Sequence, residues 1–552
     1  MVFLGPASRP AQAPVAGGGR RLTRLGVGLL VLGSILVAAA SLDLQLRHYW
    51  LDDPYISFRY AWNLVHGNGL TYNAGQHVEG FSNPSWTLLS AAALTLGWDP
   101  LVTSRIAGLG LHLAAIVAVW AGVRDRRTPT ARPSGLLPTV RSLVPRVLAG
   151  ALLATSSWTG LWALAGLETP LFAFALVAAV VAYQFDRRSA AAALMLLAAL
   201  TRVEGVGFGL AFVVVLLRER GLSREVRRPL LILVLPFVAV LLARVGYYGH
   251  VLPNSYTDKT GLSMAANLRS GTLYLVGSVQ RALRLPVSGG VQDRMVWLAV
   301  ALLGIAALAL LLALVRVQTA PGGARWLGAA SIWLIVAITV GGGGDWMPAA
   351  RFLVPALPLV ALWLGWTMTW VLRPGRGRPA WVRTPAAAVS VLVGAAAVLL
   401  VAQGQQQNVA SALARYQPSG TPNADRNPNY VSLARWLRGH TRWGDLVALE
   451  EAGLIPYETP ELRYLDLFGL NDATIARAPG KPPFDKHDNS YVLAARPRYM
   501  VIWGVPDTGQ GFRWSHQLSL VTDPRFAAAY RFVASAPKDV RYSFRIYERS
   551  SA

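Results

Sequence analysis

Apolar runs of about twenty residues recur along this chain, and a run of that length crosses the hydrocarbon of a bilayer as one helix. They lie near 22–44, 101–123, 147–166, 169–185, 229–246, 294–315, 326–341, 353–372 and 385–402. A backbone in lipid must satisfy its own polar groups, so a chain built this way folds as a bundle of helices across a membrane. The stretch 189–217 is also apolar but is interrupted by Thr201-Arg202-Val203-Glu204-Gly205. It reads as a hairpin of two shorter helices, which brings the expected number of spans to about eleven. Composition agrees, since 53% hydrophobic and 14% charged residues over 552 positions, with a mean hydropathy of +0.39, lie outside the range of soluble enzymes.

The formal charge of +24 would suit a nucleic-acid binder, but its placement argues otherwise. With the N-terminus inside, the segments 1–24, 124–146, 186–188, 218–228, 316–325 and 373–383 face the cytoplasm and carry 23 arginines, no lysine and four acids. That asymmetry is what orientation by positive charge produces, and nucleic acid is excluded as a partner. The first span is long and lacks a small-residue cleavage site, so it reads as an uncleaved anchor behind a cytoplasmic tail, residues 1–21. The absence of cysteine removes disulfides, thiolate metal sites and cysteine nucleophiles.

The expected organisation is a membrane domain over 22–402, with a first outer loop at 45–100, followed by an outer domain over 403–552. Within the first loop, the apolar piece from Trp86 to Leu96 is too short to cross and is expected to lie along the surface. A second outer segment begins at Tyr247 and runs to about Arg294. A third contains Gly341-Gly342-Gly343-Gly344-Asp345-Trp346, where four glycines in a row must end a helix and turn the chain. Beyond 403 the pattern changes: Asn427-Pro428 starts a helix through Leu437, and strand-like pieces stand near 445–450, 462–468, 498–503 and 540–547. This tail reads as a small α/β domain.

Two adjacent carboxylates, Asp52 and Asp53, stand just past the first span. Pro54 suits the first turn of a helix and Asp53 its cap, with Tyr55, Phe58, Tyr60 and Trp62 forming an interfacial face and His66-Gly67 ending it. A cap accounts for one acid and leaves the other unexplained. A carboxylate held ionised at a helix start can accept a proton from an incoming hydroxyl, the base half of a glycosyl transfer. The other half needs cations around a leaving phosphate, and the outer candidates are Arg59, Arg202, His250, Lys259 and Arg351. Structural ion pairs compete with that use: Arg202 with Glu204, and Arg351 with Asp345. Glu79 and Glu168 are further outer acids suited to acceptor hydroxyls. No metal constellation stands out, although Asp52, Asp53 and Asp345 could together hold a divalent cation. Phosphate-cradling glycine motifs are missing, which disfavours ATP-driven or nucleotide-sugar chemistry.

The run from Asp52-Asp53-Pro54-Tyr55 to His66-Gly67-Asn68-Gly69-Leu70, followed by Tyr72-Asn73-Ala74-Gly75 and Val78-Glu79-Gly80, resembles the first outer loop of bacterial C-type (GT-C) glycosyltransferases. Thr201-Arg202-Val203-Glu204-Gly205, Tyr248-Gly249-His250-Val251-Leu252-Pro253-Asn254, Gly344-Asp345-Trp346-Met347-Pro348 with Arg351-Phe352, and Asp466-Leu467-Phe468-Gly469-Leu470 are similar to further signatures in the same order. Within that superfamily the chain is most similar to the mycobacterial-type terminal β-(1→2)-arabinofuranosyltransferase. It departs from that pattern at Gly80-Phe81-Ser82-Asn83-Pro84, where a serine- or threonine-rich stretch is expected, and at Val203, where proline commonly stands.

The resemblance implies a GT-C-like polytopic α-helical membrane protein with a C-terminal extracytoplasmic α/β domain, in the plasma membrane of a bacterium. It implies a polyprenyl-phosphate sugar donor, decaprenyl-phosphoarabinose first among them, and a cell-wall glycan acceptor such as arabinogalactan or lipoarabinomannan. The base role falls on Asp52 or Asp53, and substrate contacts fall on Glu79, Glu204, Asn254, Asp345 and Trp346. Three rivals stand beside it. A secondary transporter would show paired half-helices and internal symmetry, and neither is seen. A transferase of the same superfamily for another sugar, such as mannose, would carry the same motifs, as would a non-catalytic envelope scaffold.

Overall fold

The computed structural model describes residues 18–124, 136–259, 262–284, 322–372, 380–416, 427–481, 485–504, 514–536 and 543–550. The chain enters through α1 (Gly18–Leu44), then makes two short helices, α2 (Asp53–Val65) and α3 (Pro84–Thr95). Next come α4 (Pro100–Gly122), α5 (Leu136–Ala154), α6 (Ser157–Leu164), α7 (Thr169–Gln184), α8 (Arg188–Thr201), α9 (Gly205–Arg220) and α10 (Arg224–Tyr248). Proline sits in the first turn of α2, α3, α4 and α7, where its missing N–H costs nothing, so each of these helices has a sharply defined start.

After α10 follow α11 (Asn254–Lys259), α12 (Met264–Leu283), α13 (Gly322–Gly341), α14 (Ala356–Val371) and the long α15 (Ala380–Tyr416). The centre of the bundle is a single apolar core around Leu176, Val177 and Val180 of α7 and Leu359, Leu362 and Trp366 of α14. α7 is buried on nearly every side, which its unbroken apolar sequence requires.

Among the described residues, four helices are long and apolar enough to cross a bilayer: Gly26–Leu44 of α1, α4, α10 and α13. α5 and α6, bent by 53° across Thr155-Ser156, make a fifth if they form one span. Against the expected eleven, these are the spans that length and apolarity select among the described residues. α7, α8 and α14 are apolar but have 16, 14 and 16 residues. A helix of that length reaches only about 24 Å, short of the roughly 30 Å of hydrocarbon. The run at 294–315 lies outside the described residues, and that at 385–402 falls within α15.

The C-terminal part opens with α16 (Pro428–His440), capped by Asn427, whose Oδ1 accepts from the Asn429 amide at 2.9 Å. Around it stands a mixed five-stranded sheet of order β2-β1-β3-β5-β4. β1 (Leu446–Leu449) pairs in parallel with β2 (Arg463–Asp466) and β3 (Tyr499–Gly504), and β5 (Ser543–Arg549) runs antiparallel to β3 and to β4 (Tyr530–Ala536). Four of the strands coincide with pieces read from sequence; β4 was not among them. The period-two alternation splits the sheet into two faces. Ala448, Leu465, Met500 and Ile502 pack on the short helices α19 (Ser515–Val521) and α20 (Pro524–Ala529) through Leu520 and Phe526, and on Val492 of α18 (Asn489–Ala494). Val447, Leu449, Tyr464, Val501, Phe544 and Ile546 meet α16 and, from the first loop, α2.

That last contact corrects the reading of α2 as an interfacial helix. Tyr55, Ile56, Phe58 and Tyr60 are buried between the bundle and the sheet. The short helix α17 (Leu454–Glu458), which follows β1, lies against α2. Asp52 and Arg59, seven residues and so about two turns apart on one face of α2, grip its two ends. Asp52 accepts from the amides of Gly453 and Leu454 at 2.8 and 2.7 Å. Arg59, 2% exposed, donates to the carbonyls of Pro456 at 2.6 Å, Leu462 at 2.9 Å and Thr459 at 3.4 Å, and to Tyr72 at 3.1 Å. An acceptor at the amide end and a cation at the carbonyl end both match the helix dipole. Asn73 adds a two-way bond with the backbone of Tyr464, and the Tyr72 hydroxyl donates to the Ala452 carbonyl at 2.7 Å.

Arg59→Met leaves these carbonyls unpaired in a dry interface. It is expected to cost about 3 kcal/mol or more, given 1.5–3 for a hydrogen bond to a charged group. Thermal unfolding in detergent reads the loss, and limited proteolysis should then release a C-terminal fragment that wild type withholds.

Candidate active site

The two acids of the first loop have different fates. Asp52 occupies the cap position of α2, where its carbonyl accepts from the Tyr55 amide at 3.0 Å, but its side chain makes no bond to that helix; the carboxyl turns to the C-terminal part, with both oxygens engaged by backbone amides. Asp53, expected as the cap, stands instead in the first turn. Burial, with the Asp53 and Asp466 charges adding to it, outweighs those two amides and pushes Asp52 up to about 7. Asp466, at the end of β2, is likewise pushed to about 7 by burial, even though Asn471 and the Phe468 amide bond its ionised form.

A line of hydrogen-bonded polar side chains starts at Ser57 of α2 and ends at Arg202. Ser57 lies four residues after Asp53, hence on the same face of α2, and its hydroxyl donates to Asn83 Oδ1 at 2.9 Å. Asn83 Nδ2 donates to Glu168 Oε2 at 2.9 Å, and Glu168 Oε1 meets Arg202 Nη1 at 2.6 Å. Arg202 also bonds Glu204 through Nε at 2.5 Å. Its guanidinium lies over Phe352 at 5.5 Å, and Arg351 lies over the same ring at 5.3 Å. Arg351 in turn meets Asp345 at 2.7 Å. Arg202 uses Nε and Nη1, and Arg351 uses Nε, in these bonds, so each fork keeps N–H groups for a further anion.

Local backbone explains how the arginines are aimed. Arg202 stands at the tip between α8 and α9, as the interrupted run suggested. The glycine loop turns through Gly343 and Gly344, both with positive φ, and a Cβ on Gly344 would fall 2.6 Å from that of Tyr274. Just before Arg351, Ala349 and Ala350 take the left-handed conformation at φ 54° and 49°, which costs a residue with a side chain about 1 kcal/mol or more. Both are buried, and the Ala349 carbonyl accepts from Trp162 Nε1 at 3.1 Å.

The remaining expectations fall elsewhere. Arg59 is not available to a phosphate, because its donors are spent on α17 and its neighbours. His250 lies beside Arg477 at 3.4 Å, and the side chain of Lys259 lies outside the described part of the molecule. Glu79 pairs with Arg244 at 3.0 Å; burial pushes it up to about 7 against the pull of that arginine. Asn254 holds the turn after β2 through the carbonyls of Gly469, Leu470 and Asp472. Trp346 is half-exposed beside Asp345. Asp52, Asp53 and Asp345 do not gather around a common point: Asp52 is held by amides and Asp345 by Arg351, and no metal-sized cluster of ligating side chains occurs among the described residues. Sequence reasoning missed Ser57, Asn83, Arg244 and Phe352, and also Glu451, which approaches the acid pair from beyond β1.

Residues 407–547 match the model of a domain of unknown function, DUF8728. No curated protein matches the sequence. Among solved structures, ArnT from Cupriavidus metallidurans in the apo state is similar at 13% identity and a TM-score of 0.52, covering 96% of this chain and 98% of that one. The same enzyme bound to undecaprenyl phosphate gives 15% and 0.48, with 96% and 98% covered. The arabinofuranosyltransferase AftD from Mycobacteria gives 14% and 0.45, with 94% of this chain and 41% of that chain covered. The likeness to apo ArnT is one of fold: this chain shares with that structure a bundle of apolar helices followed by a small C-terminal sheet.

Asp52 supplies a pH test. Its folded value of about 7 lies above the ordinary 3.8, so the folded chain retains a proton that the unfolded chain releases. Stability is then full below about pH 4 and falls as pH rises toward 7, where the penalty is complete. Melting in detergent should decline from pH 5 to pH 8. Asp52→Asn should flatten part of that slope while costing about 1 kcal/mol for one lost N–H···O bond; an undiminished slope would show that Asp52 does not titrate in this range.

Proposed function

We propose that this chain is an integral-membrane glycosyltransferase that moves a sugar from a polyprenyl-phosphate donor to an envelope glycan, at the outer rim of its apolar helices. One observation supports the reading: hydrogen bonds run from Ser57, one turn on from Asp53, through Asn83 and Glu168 to Arg202, and Arg202 and Arg351, both with spare donors, share the Phe352 ring. Glycosyl transfer needs that pair of features. The acceptor hydroxyl gives its proton to Asp53 as its oxygen attacks the anomeric carbon. The bond from that carbon to the phosphate oxygen breaks, the electron pair leaves with the phosphate, and the two guanidiniums stabilise it.

Asp53 rather than Asp52 is assigned the base, because both oxygens of Asp52 are committed to amides of the C-terminal sheet. The fold likeness to ArnT, a protein also solved with undecaprenyl phosphate, supports a lipid-phosphate donor whose tail lies between helices. The motif resemblance supports arabinofuranose, with decaprenyl-phosphoarabinose as donor and a cell-wall glycan as acceptor. The arginine-rich loops support a cytoplasmic N-terminus, which sets residues 403–552 and the site on the outside of a bacterial plasma membrane. Glu79, Glu204, Asn254, Asp345 and Trp346 then shape the rim that the acceptor meets.

In vesicles with a polyprenyl-phosphate sugar, Asp53→Asn should lower kcat by about 10³, in the range of a lost general base. Asp52→Asn should remain within about tenfold of wild type, the size of one neutral hydrogen bond. Arg202→Ala and Arg351→Ala should each lower kcat/KM by roughly 10². Wild-type rates in Asp53→Asn would end the base assignment. Arabinose- and mannose-bearing donors compared side by side identify the sugar.

A further inference from the structure

A cavity of about 180 Å³ opens beside the bend between α5 and α6, and no residue of the transfer scheme lines it. Its walls come from the end of α1, from the bend at Thr155-Ser156 and from α15. Leu46, Val409 and Leu413 supply apolar lining, and Asp43, Ser157 and Gln406 supply polar lining. The span of α1 ends at Leu44, and on α15 the apolar run of 385–402 gives way to Gln403-Gly404-Gln405-Gln406. Two walls thus change from apolar to polar at the level of the cavity, which is the depth at which a bilayer presents its headgroups.

Asp43 is 2% exposed, and its Oδ2 lies 2.6 Å from His112 Nδ1 of α4. His112 Nε2 is enclosed without a partner, and a bare nitrogen costs less there than an N–H, so the ring donates through Nδ1 and the pair keeps the charge of the carboxylate. Oδ1 makes no hydrogen bond among the described residues. It faces Gly160 of α6, where a Cβ would collide with it. Thr155 and Ser156 spend their hydroxyls on the Ala151 carbonyl at 2.8 Å and the Thr159 amide at 3.3 Å. The side chains of Ser157 and Gln406 have no such commitment among the described residues. No lysine or arginine stands among the described residues of the lining. An anion would therefore meet a carboxylate with no counter-charge, whereas a cation would meet it at the edge of the hydrocarbon, where water screens the attraction little.

We propose that this cavity binds the primary ammonium headgroup of a membrane phospholipid of the phosphatidylethanolamine type. A primary ammonium has three N–H groups, and Asp43 Oδ1, the Ser157 hydroxyl and the Gln406 carbonyl are three acceptors to meet them. A lipid is the source because the cavity stands at headgroup depth, with Leu44 of α1 and Leu399 and Leu400 of α15 exposed along the same helices to meet its acyl chains. Arg47, exposed four residues beyond Asp43, suits the phosphate that follows the ammonium. A choline headgroup has no N–H to give, and a glycerol headgroup brings no positive charge, so the same acceptors favour ethanolamine over both.

The test is native mass spectrometry of the full chain in detergent, titrated with phosphatidylethanolamine, phosphatidylcholine and phosphatidylglycerol of identical acyl chains, beside thermal melting in the same mixtures. Wild type should retain phosphatidylethanolamine about tenfold or more tightly than the other two, the scale of one charge-assisted hydrogen bond, and its melting midpoint should rise with that lipid alone. Asp43→Asn should lose the preference. Because that variant also breaks the bond to His112, a second one guards against misfolding: Ala410→Phe fills the cavity from its exposed wall on α15 and should melt like wild type in phosphatidylcholine yet gain nothing from phosphatidylethanolamine. Equal retention of the three lipids, or a preference for phosphatidylglycerol, overturns the inference. So does an ethanolamine preference that survives Ala410→Phe.

Discussion

The structure depends on a clamp between one helix of the first loop and one short helix four hundred residues later. Asp52 takes the amide end of α17, Arg59 takes its carbonyls, and both project from one face of α2. Without that clamp the polar ends of α17 would be buried unpaired, and each such group costs about 1–3 kcal/mol. With it, the sheet seats on α2, and α2 is fixed at the rim of the bundle.

Much of the bundle was legible because hydrophobic runs report burial in lipid directly. The hairpin tip at Arg202, the turn at Gly343-Gly344, the short helix α3 and the start of α16 at Pro428 all stand where the residues implied. The lengths of the individual helices were not legible, because a 16-residue helix buried inside the bundle has the same composition as one that meets lipid. The edge strand β4 escaped because its inner residues are only half-buried and its register breaks between Phe532 and Ala534.

The site was half legible. The acids and arginines were visible as residue types, but their partners were not, because no local pattern encodes a bond across 85 or 401 residues. A signal for Arg59 did exist. Tyr55, Ile56, Phe58, Tyr60 and Ala61 make α2 apolar on every side, the mark of a buried helix, and an arginine inside such a helix must find carbonyls. Glu450 and Glu451 carried a signal too, as acids at the carboxyl end of a parallel strand, where open α/β sheets bind their ligands.

The bond from Asp52 to Gly453 also has a consequence in time. The first loop leaves the membrane early in synthesis, while its amide partners are still 401 residues from being joined to the chain. Until the tail has emerged and settled, the Asp52 carboxyl lacks the Gly453 and Leu454 amides. A chain still short of residue 453 therefore holds the helices of the bundle and both arginines before the partner that fixes the first loop exists.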